Sequence, residues 1–231
     1  VLDETIDFDT LRGFGGIKLF ISTTRVETGE LKVFSGPEMT PEVLLASACL
    51  PFLFHAVDID GVPHWDGAYT ANPALAPLIR HCASPDILVV KVNPTRRPGT
   101  PRSAAEIADR VNEISFNAAV VQEMRTIEAL QALIDDAAAA RNPGLARIKA
   151  ARLHLIDAGD AVLDMGIASK LNPERDFLLH LKALGRKQAE AWLATDAGAR
   201  GRRSTATSGE DYLRACGGGS AKTALDGSTY R

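Results

Sequence analysis

The chain has 231 residues, 45% of them hydrophobic and 24% charged, with a formal net charge of −3. Those values describe one globular domain with a tail, and a slightly acidic balance without a basic stripe excludes nucleic acid as an expected partner. Three widely separated cysteines, Cys49, Cys82 and Cys216, exclude a disulfide framework, and the longest apolar run, Leu50–Val57, is too short to span a bilayer.

In chain order, Leu2–Leu11 carries Asp3, Glu4, Asp7 and Asp9 on a locally helical or turn-like opening. Ile17–Ser22, β-branched and aromatic after Gly13-Phe14-Gly15-Gly16, predicts a buried strand. Glu27-Thr28-Gly29-Glu30 predicts a turn, and Leu31–Phe34 the second strand of a hairpin. Thr40-Pro41-Glu42 is a helix start, with Thr as N-cap, Pro at the first helical position and an acid in the first turn. That helix, Pro41–Cys49, must stop at Leu50, because Pro51 disfavours the α conformation before it. An apolar strand is expected next, then the turn Asp58-Ile59-Asp60-Gly61 and a second extended piece, Val62–Trp65, that delivers Asp66 onto a glycine-containing bend.

Asn72-Pro73 predicts the opening of a short helix through about Cys82. Ile87–Val92, ending at Asn93-Pro94, suits a strand buried on both faces of an α/β sheet. Ser103 with Glu106 makes a capping box. Ile107, Val111, Ile114, Ala118 and Val121 follow at helical spacing, predicting a long amphipathic helix to about Ala140, ended by Asn142-Pro143-Gly144. Arg152–Ile156 is strand-like, and Asn172-Pro173-Glu174 starts a last helix reaching about Thr195. From residue 197 onward Gly, Ser, Thr and Ala dominate and apolar periodicity vanishes, so 197–231 is expected to be a disordered tail. Strands alternating with helices predict an α/β domain over 1–196 with a mostly parallel sheet.

The chemistry begins with absences. The chain contains no Gly-x-Ser-x-Gly elbow, no phosphate-cradling Gly-x-x-x-x-Gly-Lys-Ser/Thr loop and no His-Glu-x-x-His zinc helix. His55, His64, His81, His154 and His180 form no recognisable metal-ligand motif, so neither a metal nor another cofactor is expected. A carboxylate after an apolar strand, with small neighbours that admit another group, is how a fold presents a catalytic base. An ordinary Asp-Gly turn has the same look.

Several motifs occur in a fixed order around Asp66. They are Phe20-Ile21-Ser22-Thr23-Thr24 with Thr28-Gly29, Ala46-Ser47-Ala48-Cys49-Leu50-Pro51, Ile59-Asp60-Gly61, and Trp65-Asp66-Gly67-Ala68 with Asn72-Pro73. Ile114-Ser115-Phe116-Asn117 and Ser169-Lys170-Leu171-Asn172-Pro173 follow. Together they resemble the C-terminal part of a bacterial patatin-like phospholipase, over roughly residues 1–195. The resemblance implies a three-layer α/β/α fold with a mostly parallel sheet, and a Ser–Asp dyad acyl hydrolase acting on lipid or phospholipid esters. In that family a serine on a strained elbow attacks the ester, the aspartate accepts its proton, and backbone N–H groups hold the oxyanion. Only the aspartate maps here, onto Asp66, with Gly67 and Ala68 as its supporting turn. The serine elbow and oxyanion loop belong to the family's N-terminal half, so the chain alone is expected to be inactive. Opening on Val1, it reads as the interior of a domain, and upstream sequence is expected.

A solvated carboxylate with a pKa of about 4 is a poor base for an alcohol, so Asp66 needs burial or an oriented hydrogen bond. Leu50, Phe52 and Phe54 are candidates for an acyl-binding wall, and equally for core. His64 shares a strand face with Asp66 and raises a Ser-His-Asp alternative, against a packed or surface histidine. Ser47 and Cys49 sit at a small-residue helix end, where close packing explains them better than nucleophilicity. Asp58/Asp60 and Asp157/Asp160 read as turn acids, with a glycosidase pair as the rival. Arg96-Arg97 and Arg202-Arg203, with Arg200 close by, read as solvated charges, with a weak hold on anionic lipid as the rival. The partners expected are a lipid ester and a peripheral membrane surface, in a cytoplasmic or peripheral membrane location. Two rival functions stand beside the hydrolase: a lipid- or partner-binding product without turnover, and a remnant with an aggregation-prone sheet edge.

Overall fold

The computed structural model describes residues 2–158, 162–163 and 165–206. Two short helices open it, α1 (Leu2–Thr5) and α2 (Phe8–Gly13), and Asp7 caps α2 by accepting the Thr10 N–H at 2.9 Å. Strands β1 (Phe20–Arg25) and β2 (Leu31–Ser35) make the expected hairpin, with Phe20 opposite Ser35. Because β2 ends at Ser35, the ladder begins at Phe20 rather than Ile17, and Ile17 and Leu19 are exposed. Helix α3 (Pro41–Ala46) starts as expected, with Thr40 Oγ1 accepting the Val43 N–H, and turns carry the chain to Leu50.

The apolar strand expected after Pro51 is a turn instead. The Leu53 and Phe54 N–H groups both donate to the Leu50 carbonyl at 3.0 Å, and Phe52 is left 90% exposed. Extended structure resumes only at β3 (Val57–Ile59), which pairs with β4 (Val62–Asp66). Asp60 and Gly61 between them have φ of 53° and 80°, the pair of positive values that a tight two-residue hairpin demands.

These four strands form one sheet in the order β2-β1-β4-β3, antiparallel throughout. Helix α3 covers it, burying Val43 and Ala46 against Phe34, Met39 and Ile59. The second sheet has two strands, β5 (Asp86–Lys91) and β6 (Arg152–Asp157), parallel, with Asp86 opposite Arg152 and Lys91 opposite Asp157. Among the described residues the fold is therefore mixed α/β, but its larger sheet is antiparallel, a correction to the mostly parallel expectation. The reason is connection length. The β1–β2 and β3–β4 turns are short enough only to reverse the strand, whereas the long helical crossover between β5 and β6 returns the chain in the same direction.

That crossover is α5 (Ala104–Leu133), α6 (Asp136–Arg141) and α7 (Pro143–Ala150). The Ser103/Glu106 capping box forms as expected. The single helix expected to Ala140 is divided, because Asp135 caps α6 and Asn142, with Pro143 at the first helical position, caps α7. The buried stripe of α5 includes Val121 as expected but departs from the expected one toward the helix N-terminus. Glu113, Phe116, Asn117, Val120, Val121, Met124 and Ile127 are buried, whereas Ile107, Val111 and Ile114 are exposed. This stripe meets Ile87, Val89, Leu153 and Leu75 in the second core.

Asn72-Pro73 lies before α4 (Ala76–His81) rather than in it, and the helix start is held from outside, the Glu123 carboxylate of α5 accepting the Leu75 and Ala76 N–H groups. Strand β5 is buried on one face only: Ile87, Val89 and Lys91 point inward, while Val90 and Val92 are 63% and 65% exposed. Helix α8 (Arg175–Thr195) is followed by residues 197–206, expected to be tail. They instead return along β6, the Thr205 and Ala206 N–H groups donating to the Leu153 carbonyl. Residues 207–231 of the expected tail lie outside the described residues. No helix among the described residues is long and apolar enough to cross a membrane.

Asp86 fastens that return. Its carboxylate accepts from Arg152 at 2.8 and 3.1 Å, from the Gly201 N–H at 3.0 Å, and pairs at 3.0 Å with Nε2 of His154, whose Nδ1 meets Thr205 Oγ1. Arg152 first, then His154 and the Gly201 N–H, hold the Asp86 carboxyl well below its ordinary range. A depressed folded-state pKa gives stability that is complete above the ordinary carboxylate value and lost as pH falls below about 4. Asp86→Asn is expected to cost about 1–2 kcal/mol at neutral pH and to flatten the acid limb of a stability-versus-pH curve from urea titrations. An unchanged acid limb would count against this clamp.

Candidate active site

Asp66 ends β4, where Thr23 of β1 stands opposite it. Two bonds to the Asp66 backbone and a hydroxyl pair fix the position. The Asp66 N–H donates to the Cys49 carbonyl at 3.0 Å, its own carbonyl accepts from Thr24 Oγ1 at 2.9 Å, and Thr24 Oγ1 also meets Thr70 Oγ1 at 2.9 Å. The side chain caps the 3₁₀ turn Gly67–Tyr69, Oδ1 accepting the Ala68 N–H at 2.8 Å. Asp66 is thus a turn-capping residue, as the simpler reading of Asp-Gly had it, and the cap leaves Oδ2 to face other chemistry.

Gly67 is there because nothing larger fits. A Cβ on it would lie 2.3 Å from the Ser22 carbonyl oxygen and 2.4 Å from its carbonyl carbon. Close approach of the turn to β1 is what seats Asp66 against the sheet.

The electrostatics suit a base. Burial pushes the Asp66 carboxyl above its ordinary value, opposed by the Ala68 N–H and by the Lys170 ammonium. Burial and the nearby Asp66 charge also raise the Cys49 thiol and the Tyr69 phenol. A thiol held protonated is a poor nucleophile, and the Cys49 Sγ–H donates to the His55 carbonyl at 3.1 Å. Ser47 Oγ donates to the Leu44 carbonyl, a bond within its own helix turn. Both residues are packing elements here.

His64 is buried in the first core, with Nδ1 2.8 Å from Thr23 Oγ1 and its ring edge-on to Phe34. Burial lowers its pKa, and with Nδ1 on Thr23 it is a packed neutral imidazole rather than a relay to Asp66. Asp58 accepts the Gly61 N–H, a turn acid as expected, and Asp157 pairs with Lys91 at 2.6 Å. Asp160 lies outside the described residues. Arg97 is not a free surface charge: it forks onto Glu113, which Arg110 also contacts, and bonds the Leu163 carbonyl. Arg96, Arg202 and Arg203 are exposed.

Aromatic and charged groups from α5 and the 167–171 turn pack behind the Asp66 turn. The Tyr69 ring meets Phe116 edge-on at 5.0 Å, and the Asn72 amide donates to the Phe116 carbonyl at 3.2 Å. Lys170 Nζ sits 4.7 Å from the centre of the Phe116 ring. Phe116 and Lys170 lie within the Ile114–Asn117 and Ser169–Pro173 motifs, where nothing local points to a role for either. No periodicity ties residue 170 to residue 66.

Beside Lys170 lies a largely apolar hollow of about 390 Å³ between the outer face of β5, α5 and α8, walled by Val90, Val92, Phe177, Leu181 and Leu184. The candidate wall residues Phe52 and Phe54 are exposed and Leu50 half-buried, so none of the three is core. Among the described residues no group of three or more His, Cys, Asp or Glu side chains converges as metal ligands.

No family model matches the chain, and no curated protein matches it.

Proposed function

We propose that residues 1–196 are the base-bearing part of a patatin-like serine acyl hydrolase that cleaves lipid or phospholipid esters, with Asp66 as general base. The observation that carries this reading is the Asp66 carboxylate itself, desolvated yet held by the Ala68 N–H on a turn whose glycine lies against Ser22. A raised pKa makes a carboxylate a better proton acceptor near neutral pH. Oδ1 is oriented by the backbone, so Oδ2 is the atom to take the proton of a serine hydroxyl as it attacks the ester carbonyl, and later that of water. Gly67 and Ala68 are the supporting turn. The serine and the oxyanion donors come from outside these 231 residues, completing a three-layer fold in which β5 and β6 belong to the parallel part of the sheet. The exposed Phe52, Leu53 and Phe54 suit contact with acyl chains or a membrane surface. The same exposed side chains favour the second reading, a lipid- or partner-binding product without turnover.

A fluorophosphonate probe separates the two. Under the hydrolase reading, the 231-residue chain alone stays unlabelled and does not cleave p-nitrophenyl esters. The polypeptide that joins it to a Gly-x-Ser-x-Gly segment is labelled on that segment's serine. Labelling of Ser22 or Ser47, or turnover by the 231 residues alone, overturns the assignment. Lipid-vesicle binding with no labelling of any form establishes the second reading.

A further inference from the structure

We propose that Lys170 is a positioning cation for Asp66: seated on the Phe116 ring, it holds the buried carboxylate in its charged, proton-accepting form without touching the reacting atoms. The inference rests on the reading of Asp66 as a base and deepens it. Three contacts build the arrangement. Tyr69, in the turn that Asp66 caps, packs edge-on to Phe116; Asn72, at the end of the same loop, bonds the Phe116 carbonyl; and the Lys170 ammonium lies over the Phe116 ring at 4.7 Å. Phe116 thereby touches both the loop carrying the carboxylate and the cation whose charge opposes the desolvation of that carboxylate. A cation over an aromatic face is attracted by the ring quadrupole, which holds it in place without neutralising its charge.

The other charged and titratable groups around the pair do not replace it. Cys49 and Tyr69 face Asp66 and are uncharged, both held protonated by burial and the Asp66 charge. Asp109 and Glu113 of α5 face Lys170, but Glu113 is engaged by Arg97 and Arg110. Lys170 is an exposed residue overall, with its ammonium partly covered by protein atoms and partly open to solvent. The lost hydration pulls its pKa down, while Asp66 first, then Glu113 and Asp109, pull it up. Each member of the pair is thus desolvated and each steadies the other's charge. Without Lys170 the desolvated Asp66 binds its proton more tightly, and less of it stands ready to accept one.

The test is a ¹³C-carboxylate NMR titration of the 231-residue chain, which needs no turnover. Lys170→Met is expected to raise the Asp66 midpoint by about half a unit or more, roughly threefold in proton affinity. Lys170→Arg, which keeps the charge, restores it. Because coupling between two sites is reciprocal, Asp66→Asn must lower the Lys170 midpoint by the same amount. In the wild-type chain the Asp66 midpoint rises as salt is raised, since the ammonium is reached by solvent. An Asp66 midpoint indifferent to Lys170→Met overturns the proposal. If that variant does not fold, a wild-type midpoint indifferent to salt overturns it equally. Failure here leaves the probe-labelling result untouched, and failure of labelling leaves the coupling measurable, so the two are told apart.

Discussion

Asp66→Asn, in the polypeptide that also carries the attacking serine, is expected to lower kcat for ester hydrolysis by about a thousandfold or more while leaving the fold intact. Asparagine has nearly the shape of aspartate, and its amide oxygen can still accept the Ala68 N–H that Oδ1 now accepts at 2.8 Å. The ties through Cys49 and Thr24 involve only the backbone of residue 66 and are retained. What is lost is the proton acceptor, and removal of a general base typically costs 10²–10⁴ in rate. Stability should move the other way. A carboxyl whose folded-state pKa is raised favours the fold below its ordinary value and opposes it once pH exceeds the raised one. Asp66→Asn removes that opposition, so Tm at neutral pH is expected to rise by about 1–3 °C, the gain vanishing below about pH 4. Activity retained within about tenfold in Asp66→Asn would show that another group takes the serine proton, and the dyad assignment would fall.

Gly67→Ala is expected to be the most damaging single methyl in the site, at about 2–4 kcal/mol of folding free energy. The obstruction is backbone, the Ser22 carbonyl group at 2.3–2.4 Å, and a strand carbonyl cannot swing aside as a side chain can. Relief requires the turn to lift from β1, which stretches the Thr24 bond to the Asp66 carbonyl and the Asp66 N–H bond to Cys49. Stability and site geometry therefore fail together. Urea denaturation of Gly67→Ala beside Gly61→Ala gives the comparison. At Gly61 a Cβ meets open space and only the positive φ of 80° is strained, so its cost should be smaller. Equal costs would remove the steric argument.

Much of this was legible in the residues. Caps announced α3 and α5 correctly, because Thr40, Ser103 and Glu106 act on their own backbone within a single turn. The Asp58–Gly61 hairpin was legible for the same reason. Expectations failed where a distant element decides the outcome. Leu50–Val57 has strand composition, yet Leu50 accepts two N–H groups in a turn, and no neighbouring strand meets Phe52–Phe54. Ile87–Val92 looked buried on both faces, but alternation along β5 is imposed by α5 on one side, and the opposite face is left bare. Asp66 could be picked out as a candidate from the ordered motifs around it, since an Asp-Gly turn alone is ordinary. Its partners Phe116 and Lys170 lie 50 and 104 positions away, and only the packing of Tyr69 on α5 brings them into reach.

Helix α8 behaves as a beam clamped at one end. Of its 21 residues only Trp192, near the C-terminus, is buried, and there it packs edge-on to His154. Phe177, Leu181 and Leu184, toward the other end, overhang the hollow above Val90 and Val92. Tilting those turns away from the hollow would therefore uncover no fully buried side chain of the helix.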